Sequence, residues 1–274
     1  MRLFLTTLVL LAGAAEVSAQ VLSYARPEGD TLRYRERTTE VRTMAWPERE
    51  RVVTMSHDAE TTLAFSGSDT AEASFDDLYI RLRTRPEGWL SEPLTDGAVG
   101  LPFVLRFGSA GHVEVAETPF FPQVLIDVSD LRWWFEDLFP PLPDRPLAVG
   151  ETWVDTLRTV YGPDRSVTRS GEYAVSRDTL IQGVPAFVID FVAERSVQAL
   201  DTRQAFPDSN AGSALSGWER GTALVAAARP VLLGLSLSGK MSGEWTSSAG
   251  SRELVVPENV EYERTLDLVS GLSP

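Results

Sequence analysis

The sequence predicts a mainly β protein: an antiparallel, strongly curved or half-barrel sheet with one central helix packed on it. Three observations carry this reading. Apolar and polar residues alternate with period two at several separate places, only one stretch has a helical period, and turn-forming residues fall between the alternating runs. Leu32 and Tyr34 alternate with Arg33, Arg35 and Arg37, and Leu78, Ile80 and Leu82 with Tyr79, Arg81 and Arg83. Val231, Leu233, Leu235 and Leu237 continue through Met241 and Trp245, while Ser236, Ser238, Lys240, Ser242 and Glu244 point the other way. Val260, Tyr262, Leu266 and Leu268 alternate with Glu261, Glu263, Thr265 and Asp267. One buried and one wetted face is the habit of antiparallel sheets. Further strands are expected over 52–65, 167–176, 185–197 and 221–228. The turns are expected at Ser66-Gly67-Ser68, Pro86-Glu87-Gly88, Tyr161-Gly162-Pro163-Asp164 and Gln182-Gly183.

The helical exception lies near 122–138. Val124, Leu125, Val128, Leu131, Phe135 and Leu138 recur at spacings of three, four and seven, with Pro122 at the start and Pro140-Pro141 as a stop. The spacing predicts an amphipathic helix joining two strand blocks, about 20–121 and 145–274, within a single β-rich domain. Gly29-Asp30-Thr31-Leu32 opens the first block and Gly150-Glu151-Thr152-Trp153 the second, a weak internal repeat. Asp201–Ser216, rich in Ala, Ser, Asp, Asn and Gly, reads as a long loop.

Residues 1–19 read as a signal peptide: Arg2, an apolar run from Leu3 to Ala15, then Val17-Ser18-Ala19 before a mature start at Gln20. The run is short for a membrane span, and no second run approaches twenty apolar residues. The expectation is an exported protein, periplasmic or extracellular, with no integral membrane segment after signal removal.

Composition narrows the chemistry. The chain of 274 residues has no Cys, two His, and 25 Lys+Arg against 39 Asp+Glu, for a net charge of −14. Thiolate zinc sites, disulfides and cysteine nucleophiles are excluded. The acidity runs through both halves and opposes nucleic-acid binding, which needs a basic footprint. No G-x-S-x-G elbow, P-loop or dinucleotide fingerprint occurs. His57 and His112 stand apart and read as solvent-facing. The expectation is a non-enzyme with no cofactor and no metal.

The segment Leu142-Pro143-Asp144-Arg145-Pro146-Leu147-Ala148-Val149-Gly150-Glu151-Thr152-Trp153 resembles an L-P-x-x-P-V-x-V-G-D-x-W motif of a family of exported bacterial β-rich proteins. Gly29-Asp30-Thr31-Leu32-Arg33-Tyr34 is similar to that family's G-D-x-Y-x-Y strand, and Gly217-Trp218-Glu219-Arg220-Gly221 to its G-x-x-x-G stretch. Leu147, Glu151 and Leu32 depart mildly from the pattern. The resemblance implies architecture and brings no activity with it.

The candidate sites follow from what remains. Trp133, Trp134 and Phe135 form the densest aromatic cluster and supply either a helix core face or a greasy groove for an apolar or lipid-like ligand. Asp190 interrupts Phe187-Val188-Ile189 and Phe191-Val192, which reads as a wetted strand face, a paired carboxylate or a polar anchor in a cavity. Arg33/Arg35/Arg37 and Arg81/Arg83/Arg85 read as solvent faces of cross-strand ion pairs. The sharper alternative makes Arg81, Arg83 and Arg85 a partner-binding stripe. Two functions follow: an exported binding protein for an apolar ligand held between sheet and helix, or a cell-envelope structural or assembly factor acting through protein contacts.

Overall fold

The structure is a computed structural model that describes residues 23–108, 111–122, 125–126, 129, 131–135, 138–161, 165–200, 209–249 and 252–271. The expected leader therefore lies outside the described residues. The strands are β1 (Thr31–Trp46), β2 (Arg49–Phe65), β3 (Thr70–Arg85), β4 (Leu90–Ser91), β5 (Phe103–Phe107) and β6 (Val113–Glu117), then β7 (Thr152–Tyr161), β8 (Arg165–Ile181), β9 (Val184–Leu200), β10 (Ser209–Ala226), β11 (Leu232–Ala249) and β12 (Arg252–Ser270). They form one open antiparallel sheet of 12 strands in the order β6-β5-β3-β2-β1-β12-β11-β10-β9-β8-β7, with β4 on the side of β3. The β1–β12 pairing, Tyr34↔Leu268 through Met44↔Glu258, makes one surface of the two ends of the chain.

Strand parity defines the faces. Leu32, Tyr34 and Glu36 are buried on β1 while Arg33, Arg35 and Arg37 are exposed. The same inward parity continues through Thr38, Glu40, Arg42, Met44 and Trp46. The sheet curls toward this inner face, and glycines permit it. A methyl group on Gly217 of β10 would collide with the Lys240 carbonyl, and one on Gly243 of β11 with that of Ala214. At Gly239 the missing side chain leaves room for the Tyr262 ring. The Tyr262 hydroxyl donates a 2.8 Å hydrogen bond to Glu219 Oε2, from β12 across β11 to β10. The ends of the sheet meet at one level, where His112 Nε2, just before β6, lies 3.4 Å from Asp155 Oδ2 on β7.

The weak repeat has a backbone counterpart. Gly29 donates to Phe65 O, Phe65 to Asp30 O and Asp30 to Pro27 O; Gly150 donates to Val175 O, Val175 to Glu151 O and Glu151 to Ala148 O. Both glycines have positive φ, 88° and 87°, which an L side chain disfavours. Each acid also meets an upstream arginine, Asp30 with Arg26 and Glu151 with Arg145. The same turn thus starts β1 and β7.

The expected helix near 122–138 requires correction. Among the described residues no continuous α-helix runs through this segment. Ile126 bonds to Pro122 O and Ser129 to Leu125 O in helical fashion, Leu131 turns back on Ser129 O, and Leu131–Trp133 is a 3-10 turn. A helix offers one apolar stripe, whereas this segment buries side chains on most sides. Phe121, Leu125, Leu131, Trp134, Phe135, Leu138, Phe139 and Leu142 all join the core. Enclosure by a curved sheet rewards a compact plug over a regular helix. The apolar spacing is there, but tertiary packing overrides its period. The expected loop Asp201–Ser216 also shortens, because β10 already begins at Ser209 and buries Ala211 and Leu215; residues 201–208 lie outside the described residues.

Candidate functional site

The inner face divides along the strands into a plugged half and an open half. In the plugged half Phe135 packs on Phe103 (4.8 Å between ring centroids) and Phe75 (6.0 Å), and Trp134 meets Phe75 at 5.2 Å. Phe139 lies between Tyr24 (5.0 Å) and Phe107 (5.6 Å). Behind Phe139, where the sheet ends meet, His112, Leu138, Phe139, Asp155 and Tyr173 line a void of only about 20 Å³, close to the room one water needs.

A belt of buried ions separates the halves. Glu219, 1% exposed, meets Arg169, itself 4% exposed, and stands 3.7 Å from Arg195 Nη1. Arg169 also lies over the Phe191 ring at 5.1 Å. Glu36 accepts from Arg264 Nε at 2.6 Å, and Arg264 Nη2 donates to the Trp134 carbonyl at 2.9 Å, which ties the plug to the sheet. Farther along the strands, level with Met44, Glu258, 1% exposed, meets Arg42 Nη1 at 3.0 Å and accepts from Ser213 Oγ at 2.7 Å. Pairing is what makes buried carboxylates tolerable here.

His57 closes the belt. Its Nε2 lies 3.0 Å from Ser129 Oγ and its ring stands edge-on to Trp134 at 5.0 Å. Burial pushes its pKa down to about 4, so the neutral ring prevails near pH 7. The expectation of a solvent-facing His57 is thus overturned. His112 also has a partner: its hydrogen bond with Asp155 holds its pKa above the usual histidine value.

Beyond the belt the inner face changes composition. Met44 and Trp46 on β1, Val53 and Met55 on β2, Met241 and Trp245 on β11 and Leu254 on β12 share the inward parity and are each partly exposed. Trp46 and Trp245 touch across β12 at 5.5 Å, over the buried Val256. Three of the chain's four methionines stand in this one half. From Glu36 to Trp46 the face extends for roughly 33 Å at about 3.3 Å per residue.

The sequence-derived candidates are distributed over different environments. Trp134 (8% exposed) and Phe135 (1%) come together in the plug core; the side chain of Trp133 lies outside the described residues. Asp190 is not with them: it sits exposed on the outer face and accepts from Thr222 Oγ1 at 2.7 Å. Arg33, Arg35 and Arg37 pair with Asp76, Glu60 and Asp58 on β3 and β2. Arg81 is held by Glu92 at 2.9 Å and by Tyr79 Oη at 2.9 Å, while Arg83 and Arg85 are exposed on the same outer side. The open-half methionines and tryptophans escaped sequence reasoning. Their one signal was Met241 and Trp245 extending the β11 stripe.

No family model and no curated protein matches the chain. Among solved structures, a lipovitellin described by its lipid–protein interactions superposes with a TM-score of 0.54 at 12% identity, covering 91% of this chain and 26% of that one. The chain thus spans about a quarter of the lipovitellin chain, and at this identity the likeness is one of fold. An outer membrane channel from Pseudomonas putida F1 aligns over 89% of this chain and 97% of its own at 9% identity, with a TM-score of 0.20. The fold is that of a large curved antiparallel sheet with one face partly filled. Among the described residues no helix is long and apolar enough to cross a membrane, and no cluster of three or more His, Asp or Glu could hold a metal.

Proposed function

We propose that the chain is an exported, non-enzymatic binding protein that holds an apolar, lipid-like ligand along the open half of its inner face. The observation that carries this is the segregation of side chains. The plugged half is closed with Phe, Leu and Tyr, whereas the open half keeps Met44, Met55, Met241, Trp46 and Trp245 partly exposed. Methionine is unbranched and polarizable and conforms to irregular apolar partners. This moves the expected ligand away from Trp134 and Phe135, which the core already occupies. The lipovitellin likeness supports the reading by analogy of fold.

The test is quenching of tryptophan emission by a brominated fatty acid. Saturable quenching is expected in the wild type, reduced by at least half in a Trp46→Phe/Trp245→Phe double variant and unchanged in Trp153→Phe. Linear, unsaturable quenching in the wild type would exclude the site.

A further inference from the structure

Two buried donors in the open half have no acceptor among the described residues: Arg51 Nε and Trp46 Nε1. Trp46 faces inward by its contact with Trp245, and Arg51 by its parity with His57 and Leu63 on β2. The register pairs Met44 with Arg51 and Trp46 with Arg49, so Arg51 and Trp46 are diagonal neighbours, about 7–8 Å apart at their backbones. Buried donors are nearly always bonded, and a guanidinium N–H is a strong one. The contrast with the neighbouring arginines is clear. Arg42 meets Glu40 and Glu258, and Arg49 at the rim meets Glu87. The indoles of Trp134 and Trp153 also lack acceptors among the described residues, but they belong to the plugged half, where the arginines Arg264 and Arg169 already meet Glu36 and Glu219.

We infer that Arg51 and Trp46 receive the anionic oxygen head group, carboxylate or phosphate, of a single-chain amphiphile whose tail lies over Met44, Met55 and Trp245. This rests on the reading of the open half as an apolar ligand site and narrows its ligand from any lipid to an acidic one. Such a head group accepts both N–H bonds and meets the guanidinium charge. The acids facing the site are engaged elsewhere. Glu258, opposite Met44 on β12, is held by Arg42 and Ser213, and Glu40 by Arg42.

Binding of oleate, oleyl phosphate and methyl oleate to the full chain, measured by displacement of a fluorescent apolar probe, tests this. At least one acid should bind about tenfold or more tighter than the ester. Arg51→Gln should abolish that preference and leave the ester unchanged, and Trp46→Phe should reduce it. A preference between the two acids names the source of the head group. Equal binding of acids and ester, or an Arg51→Gln variant that keeps the preference, overturns the inference while leaving the apolar site standing. If none of the three displaces the probe, the apolar site itself falls.

Discussion

The two halves of the inner face share one sheet and differ in what covers them. Toward the start of β1 the plug seals Leu32, Tyr34, Leu63 and Phe75 to 3% exposure or less, and aromatic rings interlock over them. Toward its end, Met44 and Trp46 on the same strand and of the same parity remain partly exposed. Since strand pairing is continuous from Thr31 to Trp46, backbone stability does not distinguish the halves. Side-chain packing does. The plugged half is built to stay closed, and the open half leaves apolar side chains partly exposed among the described residues. The pairs Glu36–Arg264 and Arg169–Glu219 mark the boundary, and Arg264 fixes where the plug stops by holding the Trp134 carbonyl.

Mutation and pH should report this asymmetry. The largest effect is expected for Phe135→Ala, which opens a cavity in the plug core and should cost about 3–5 kcal/mol in urea melts. A value within ~1 kcal/mol of wild type would mean that the plug is not integral to folding.

Acidification should come next. His57 is neutral in the fold with its pKa lowered to about 4 from 6.5, so its contribution is fully present above about pH 6.5. It is lost as the pH falls toward 4, because the unfolded chain takes up the proton first; the loss is on the order of 3 kcal/mol. His57→Gln, which keeps a group able to bond Ser129, should flatten that stretch of the stability–pH curve. A curve that Gln leaves unchanged would show that His57 is not the source of the acid sensitivity. His112 runs in the opposite sense. Its pKa is raised by Asp155, so its contribution is present below 6.5 and fades as the pH rises through the elevated value. Asp155→Asn should remove that alkaline decline, which a melt series from neutral to alkaline pH would detect.

Trp153→Ala should cost about 2 kcal/mol, below the full range for a buried aromatic because the ring, stacked on Tyr173 at 5.5 Å, is only half-buried. A midpoint equal to wild type would leave the motif without a structural role. Smallest of all, Met241→Ala should cost less than ~1 kcal/mol, since a partly exposed side chain has little packing to lose. A loss as large as that of Phe135→Ala would erase the distinction between the two halves.

Parts of this architecture were legible in the residues. Alternation placed β1, β3, β11 and β12, because side chains of successive strand residues face opposite ways whatever the sheet's final shape. The turns at Ser66-Gly67-Ser68 and Gln182-Gly183 were equally local; Gln182 and Gly183 have φ of 50° and 83°, which few residues adopt. His57 was not legible. Within Ser56-His57-Asp58 it looks wetted, and only the plug, arriving from residues 129–134, buries it. Asp190 misled in the other direction. Its apolar neighbours belong partly to the opposite face of β9, so its carboxylate reaches solvent and Thr222.

The sequence by itself determined that this chain is an antiparallel β protein, where most strands and several turns fall, and which residues of each strand share a face. Those properties depend on neighbours one to four residues away. Only the tertiary structure decided how far the sheet curls, that the apolar segment near 122–138 folds as a plug, and which stretch of a uniform inward stripe stays open. Each of those depends on contacts between residues far apart in the chain. Arg264 reaches Glu36 and the Trp134 carbonyl, and Tyr262 reaches Glu219 across a glycine. No local pattern encodes such distances, because the energy of a buried pair appears only when the sheet has already brought both partners out of water.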